Sequence, residues 1–153
     1  MSEMLGNRYF MARQFALALP HLQTAVEKAP GNARARQKLV VCYLAADMLN
    51  AALSHFIRLF DQAPTLALMA DPDMEICPCR ELLASFSQTM AGRQRTARDY
   101  LTLGLLRASS DLPQAIDDLQ RARDMTGEFT TLSDLIGRLE NWHVHHPAAQ
   151  EHE

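Results

Sequence analysis

Leu5-Gly6-Asn7-Arg8-Tyr9, followed by Ala18, Leu22 and Pro30, is answered 34 positions later by Leu39, Tyr43, Ala52, Phe56 and Pro64. A self-similarity of that period means stacked supersecondary units, each too thin to bury its own apolar face, and not one irregular core. Within the first unit, apolar residues from Ser2 to Arg13 recur at helical spacing. A second helical run from Ala16 to Lys28 ends at Ala29-Pro30-Gly31-Asn32, a stop made of Pro and Gly. Two helices joined by so short a connection must be antiparallel neighbours. Pro20 falls close enough to the start of the second helix to be read as a start marker or a mild kink.

The second unit repeats this with helices over Ala33–Ala46 and Asn50–Gln62 and a stop at Ala63-Pro64. Small Ala18 and Ala52 let the two helices of a pair approach closely, and Tyr9 and Tyr43 fill space between pairs. Cys42 lies inside the apolar run Leu39–Ala46 and reads as an inert core thiol.

These residues resemble the tetratricopeptide repeat family, whose 34-residue helix-turn-helix unit carries Leu-Gly-x-x-Tyr, then Ala-x-x-x-Phe, then a closing Pro. The first unit has Ser2 where the family usually has Trp, and the second has Val40 in place of the small Gly. The resemblance implies an all-α fold, a right-handed superhelix of antiparallel helix pairs, in which the first helix of each pair lines a concave groove.

Beyond Pro64 the period fails. Residues 65–92 form an irregular segment with Pro72, Pro78 and the acidic run Asp71-Pro72-Asp73-Met74-Glu75, read as an extended loop leading to a helix over Arg80–Met90. Leu103-Gly104 restarts the motif, Ala115, Leu119 and Ala122 supply second-helix contacts, and Pro113 suits a helix start. This third unit is one residue short in its turn and has Arg107 where Tyr is expected. Thr131 can cap a last helix whose Leu132, Leu135, Ile136, Leu139 and Trp142 make a single apolar stripe closing the stack. The expected organisation is one helical domain over 1–142, with repeats at about 2–30, 33–64 and 96–127 and a capping helix over 131–142. A flexible tail rich in His and Glu follows over 143–153.

Composition narrows the function classes. With 48% hydrophobic and 22% charged residues the chain can bury a core and is not disordered as a whole. No apolar run is long enough to span a bilayer, no signal peptide is readable, and three cysteines argue for a reducing compartment, so a cytoplasmic location is expected. The net charge of −3 divides into +3 up to Pro64 and −6 from Thr65 onward. Neither half carries the dense basic stripe that nucleic acid requires. Arg34, Arg36 and Lys38 cluster, and read as a solvated helix face.

Cys77-Pro78-Cys79 is the most unusual tripeptide. Joined to His143, His145, His146 or His152 it would give a thiolate and imidazole set that zinc accepts. One rigid residue between the cysteines is a poor match to structural zinc loops, and redox pairs carry two, so two loop thiols and a frayed tail are the reading and no cofactor is expected. No Gly-rich phosphate loop, nucleophile elbow or His-Glu-x-x-His helix is present, and Asp117, Asp118 and Asp124 read as a solvated polar face. Enzymatic activity is therefore not expected.

The groove remains. The positions that line it in the family fall here on Glu3, Asn7, Phe10 and Met11, then Arg34, Gln37, Val41 and Leu44, then Arg98, Leu101 and Leu105. An apolar floor with polar rims suits a peptide or helix of another protein, although some of these apolar side chains could instead pack between neighbouring helices. Asn7 stands where some members clamp a terminal carboxylate, but Glu3 and Lys38 occupy positions that would need Lys and Asn, which argues against that clamp. The expectation is an adaptor or small chaperone. The alternative is a self-associating scaffold, a homo-oligomer in which the basic half of one copy docks on the acidic half of another; a metal- or redox-linked role for Cys77 and Cys79 ranks behind both.

Overall fold

The computed structural model describes residues 2–68, 78–127 and 130–146, and among them all regular structure is helical. Cα packing divides the chain into two compact units, the first holding residues up to Ala67 and the second those from Cys79 onward. The first contains α1 (Ser2–Met11), α2 (Phe15–Lys28), α3 (Ala33–Ala45), α4 (Leu49–Gln62) and the single-turn α5 (Pro64–Leu68). The second contains α6 (Pro78–Met90), α7 (Ala97–Arg107), α8 (Leu112–Thr126) and α9 (Thr130–His145). The acidic run Asp71–Glu75 and Cys77 lie outside the described residues.

In the first unit α1 packs on α2, α3 on α4, and α2 and α1 on α3. The residues that recur at 34 are the ones that make these contacts. Ala18 and Ala52 are fully buried, and Leu22 and Phe56 close over them at 0% and 3% exposure. A Cβ on Gly6 would stand 2.9 Å from Leu22 Cγ, so the glycine lets α1 lie directly against α2. Leu5, which begins the first motif, is 36% exposed while its counterpart Leu39 is 1% exposed. Leu39 has α2 beside it, whereas no described helix covers the matching side of α1.

The two tight turns are copies of each other. Arg13 and Asp47 take left-handed backbone at φ 62° and 58°. Gln14 N–H donates to Tyr9 O and Met48 N–H to Tyr43 O, both at 2.9 Å, while Arg13 and Asp47 N–H reach back to Phe10 O and Leu44 O at 3.0 and 3.1 Å. This is the paired helix-end motif that usually places Gly at the left-handed position. Pro20 stands six residues into α2 rather than in its first turn. The bond it removes is to the carbonyl of Ala16, whose residue is exposed, so water can satisfy that oxygen.

In the second unit α8 packs between α7 and α9. Gly104 plays the part of Gly6, since a Cβ there would meet the Leu119 side chain at 2.8 Å and the Ala115 carbonyl at 3.2 Å. The turn that is one residue short has no left-handed position: Ala108 stays helical, and Asp111 caps α8 by accepting from Gln114 N–H, with Pro113 at the helix start. Thr96 and Asp99 cap α7 reciprocally, and Gly127 closes α8 at φ 72°. Leu132, Leu135, Ile136 and Leu139 are buried as one stripe on α9. That helix begins at Thr130, so Thr131 lies inside it. It also runs past Trp142 to His145, because Trp142 stacks on His146 with ring centroids 3.6 Å apart and His145 Nδ1 donates to Asn141 O at 2.7 Å.

Candidate partner-binding face

The site residues expected on the first helices fall on α1 and α3 of the first unit and on α7 of the second. On α1 and α3, Glu3, Met11 and Arg34 are exposed, Asn7 and Gln37 are half-buried, and Phe10, Val41 and Leu44 are buried. Phe10 and Leu44 are each 1% exposed, so they support the face from beneath. Phe10 meets Phe15 edge to face at 5.7 Å, which fixes the start of α2 against α1. On α7, Arg98 is exposed, Leu101 half-buried and Leu105 buried.

What faces outward between α1 and α3 is a polar ladder. Asn32 caps α3 by accepting from Ala35 N–H at 3.1 Å and donates its amide to Glu3 Oε1 at 3.0 Å. One side chain thereby starts α3 and ties it to α1. Lys38 Nζ donates to Asn7 Oδ1 at 2.8 Å. Burial lowers the Lys38 pKa, with Glu3 opposing and Arg34 adding to the shift, so the ammonium is held by a neutral amide between charges of both signs. Gln37 Nε2 donates to Leu66 O at 3.2 Å, while its buried Oε1 finds no hydrogen-bond donor among the described residues. Asn32 and Lys38 belong to this face but not to the expected lining. Asn32 was legible as the residue before a helix, but its second bond depends on Glu3, 29 positions away.

Two charged groups read as solvated are buried. Arg36 is 2% exposed. Its guanidinium donates to Gln62 Oε1 at 3.2 Å, to His55 Nδ1 at 2.8 Å and to Pro30 O at 3.0 Å. On the helical period Arg36 shares a side with Leu39 and Tyr43, which faces α2 and α4. Asp118 is 1% exposed and receives Arg107 at 2.7 Å and Gln114 at 3.2 Å. The repeat explains that ion pair. Tyr9 stacks on His21 and Tyr43 on His55, at 5.7 and 5.4 Å; Arg107 and Asp118 stand three residues after Gly104 and Ala115, as Tyr9 and His21 stand after Gly6 and Ala18.

Cys42 is 1% exposed and burial raises its thiol pKa to about 12, which makes it unreactive as a nucleophile. Among the described residues no three His, Cys, Asp or Glu side chains gather as metal ligands. Of the candidates for a metal, Cys77 lies outside the described residues, Cys79 is half-buried at the start of α6, and His143 and His145 stand on α9. His145 and His146 turn their Nδ1 atoms to carbonyls of the last turn, Asn141 O and Trp142 O. An open cleft of about 340 Å³ lies at the turn end of the first unit between Arg13–Leu17 and Ala45–Ala46. No described helix is long and apolar enough to cross a membrane.

No curated protein matches the chain. The model of the tetratricopeptide repeat family matches residues 9–71, the stretch that holds both left-handed turns, at Arg13 and Asp47. Over that stretch the chain is similar to the tetratricopeptide repeat family.

Proposed function

We propose that this chain is a non-enzymatic protein–protein interaction module, an adaptor or small chaperone of the cytoplasm, that takes a peptide or helix of a partner along the first-helix face. Tetratricopeptide repeats generally mediate protein–protein interaction. The observation that carries the reading further is the ladder of Asn32, Glu3, Asn7 and Lys38, with Arg34 and Met11 exposed on the same two helices. Hydrogen-bonding groups of both signs at the rim of an apolar residue suit an amphipathic segment, and Phe10, Val41 and Leu44 hold the two helices rigidly beneath. On α7 of the second unit, Arg98 and Leu101 make a separate candidate contact. The family's groove residues are thus divided between groups that meet the partner and groups that set the backbone they stand on.

The test is a charge reversal at the rim. Arg34→Glu and Arg98→Glu each change an exposed side chain and should leave the melting temperature within a degree or so, as exposed substitutions generally do. Each should weaken retention of the partner in a quantitative pull-down from the native source. Unchanged retention with both variants folded would count against this face.

A further inference from the structure

Arg36 and His55 form a joint whose chemistry has no counterpart in the first repeat, where Ser2 stands 34 positions before Arg36. Pro30 ends the first repeat with a carbonyl that two side chains of the second repeat hold, Arg36 at 3.0 Å and Gln62 at 2.7 Å. Arg36 also binds Gln62 and His55, and no carboxylate is among its partners in the described residues. A guanidinium can only donate, so His55 Nδ1 must be the acceptor and its ring must be neutral with the proton on Nε2. His55 is further held flat against Tyr43, whose hydroxyl accepts from Gln23 Nε2 of α2 at 2.8 Å. The titratable and charged groups around His55 are Arg36 and Tyr43 from α3 and Arg58 on its own helix, while α2 contributes the neutral Gln23.

We propose that His55 is a proton-operated latch between the first and second repeats, closed when the imidazole is neutral and opened when it gains a proton. Protonation turns Nδ1 into a donor facing an arginine donor and places a second cation against a buried one. The Arg36 guanidinium must then give up its place, and the Pro30 carbonyl and the start of α3 lose their hold. Burial and the two arginines all disfavour the charged imidazole in the folded protein. The sign follows: the unfolded chain takes up a proton near the ordinary value of 6.5 while the folded joint resists it. The latch is therefore fully closed above that pH and weakens as pH falls below it. His21, at the same place in the first repeat, stacks on Tyr9 and has no arginine among its hydrogen-bond partners, so it serves as an internal control. The proposal does not depend on what the α1–α3 face binds.

The test follows amide exchange in the full-length chain by NMR between pH 7.5 and 5.5, as protection factors corrected for the intrinsic pH dependence. The reporters are Asn32 and Arg36, whose N–H groups donate to Ala29 O and Asn32 O across the joint. In the wild type and in His21→Gln these protection factors should fall several-fold, to a limit of about tenfold, across the range. In His55→Gln, whose amide oxygen accepts at every pH, they should stay within about twofold. A flat wild-type profile, or the same fall in His55→Gln, would overturn the latch. Should His55→Gln fail to fold, the imidazole of the wild type decides: a titration midpoint below 6.5 supports the latch, and a midpoint at or above it rejects it.

Discussion

At the residue scale, the places where a charge is buried carry the most information. Arg107 and Asp118 stand where the motif has Tyr43 and His55 respectively, and the aspartate is 1% exposed with Arg107 at 2.7 Å. Removing one partner of a buried pair strands the other, so Arg107→Ala should destabilise by about 3 kcal/mol in denaturant melts. The double change Arg107→Tyr with Asp118→His rebuilds the ring stack of the other two repeats and should recover most of that loss. Recovery no better than additive would show that the two sites do not exchange one contact for another. Asp99 behaves differently, because its partner Arg93 is 45% exposed on the side chain. The Arg93 guanidinium, bound at 2.6 and 3.0 Å, holds the Asp99 pKa down to about 2, with Thr96 helping and burial opposing. A depressed carboxylate stabilises above its ordinary value of 3.8, and that contribution is lost as pH falls from there through about 2. An acid titration of helicity should therefore be shallower below pH 4 in Asp99→Asn than in the wild type; identical acid limbs would rule out this pair as a source of acid stability.

At the scale of the element, a glycine on α1 and another on α7 decide how near the partner helix comes. Gly6 and Gly104 leave room for Leu22 and Leu119, both 0% exposed. At Gly104 the obstruction includes the Ala115 carbonyl at 3.2 Å, which is backbone and cannot rotate away. Gly104→Val should cost about 2 kcal/mol through overpacking, despite the gain in helix propensity over glycine. The second repeat carries Val40 where the first has Gly6, and buries both Val40 and Phe56, at 5% and 3% exposure. It follows that the spacing between paired helices is set repeat by repeat. A Gly104→Val variant as stable as the wild type in urea would show that α7 and α8 can separate freely.

At the scale of the whole molecule, much of the fold was legible because the repeat sets the same demands twice. Ala18 and Ala52 had to be small, Leu39 and Tyr43 had to pack, and Pro30 and Pro64 had to stop a helix, all of which follow from helical period and chain chemistry. The same reasoning failed for Arg36 and Asp118. Their burial depends on acceptors and donors brought by other segments, such as the Pro30 carbonyl and Arg107, and a cluster of like charges on one helix gives no sign of them. Extension of α9 to His145 was hidden for a related reason, since Trp142 and His146 stabilise that end only once they stack. The candidate face was partly legible. Asn7 is half-buried and Arg34 exposed, but the period cannot tell an outward position from a buried one, and Phe10 and Leu44 are buried.

The central claim is that a partner segment lies along α1 and α3 of the repeat pair. Site-specific photocrosslinking tests it most directly, with a benzoylphenylalanine placed at Met11, which is 50% exposed on α1, or at Ser54, which is exposed on α4. In the native source the probe at Met11 should join one discrete partner, in a yield that falls when Arg34→Glu is added, while the probe at Ser54 should not. Equal crosslinking from both positions, or from Ser54 alone, would contradict the account.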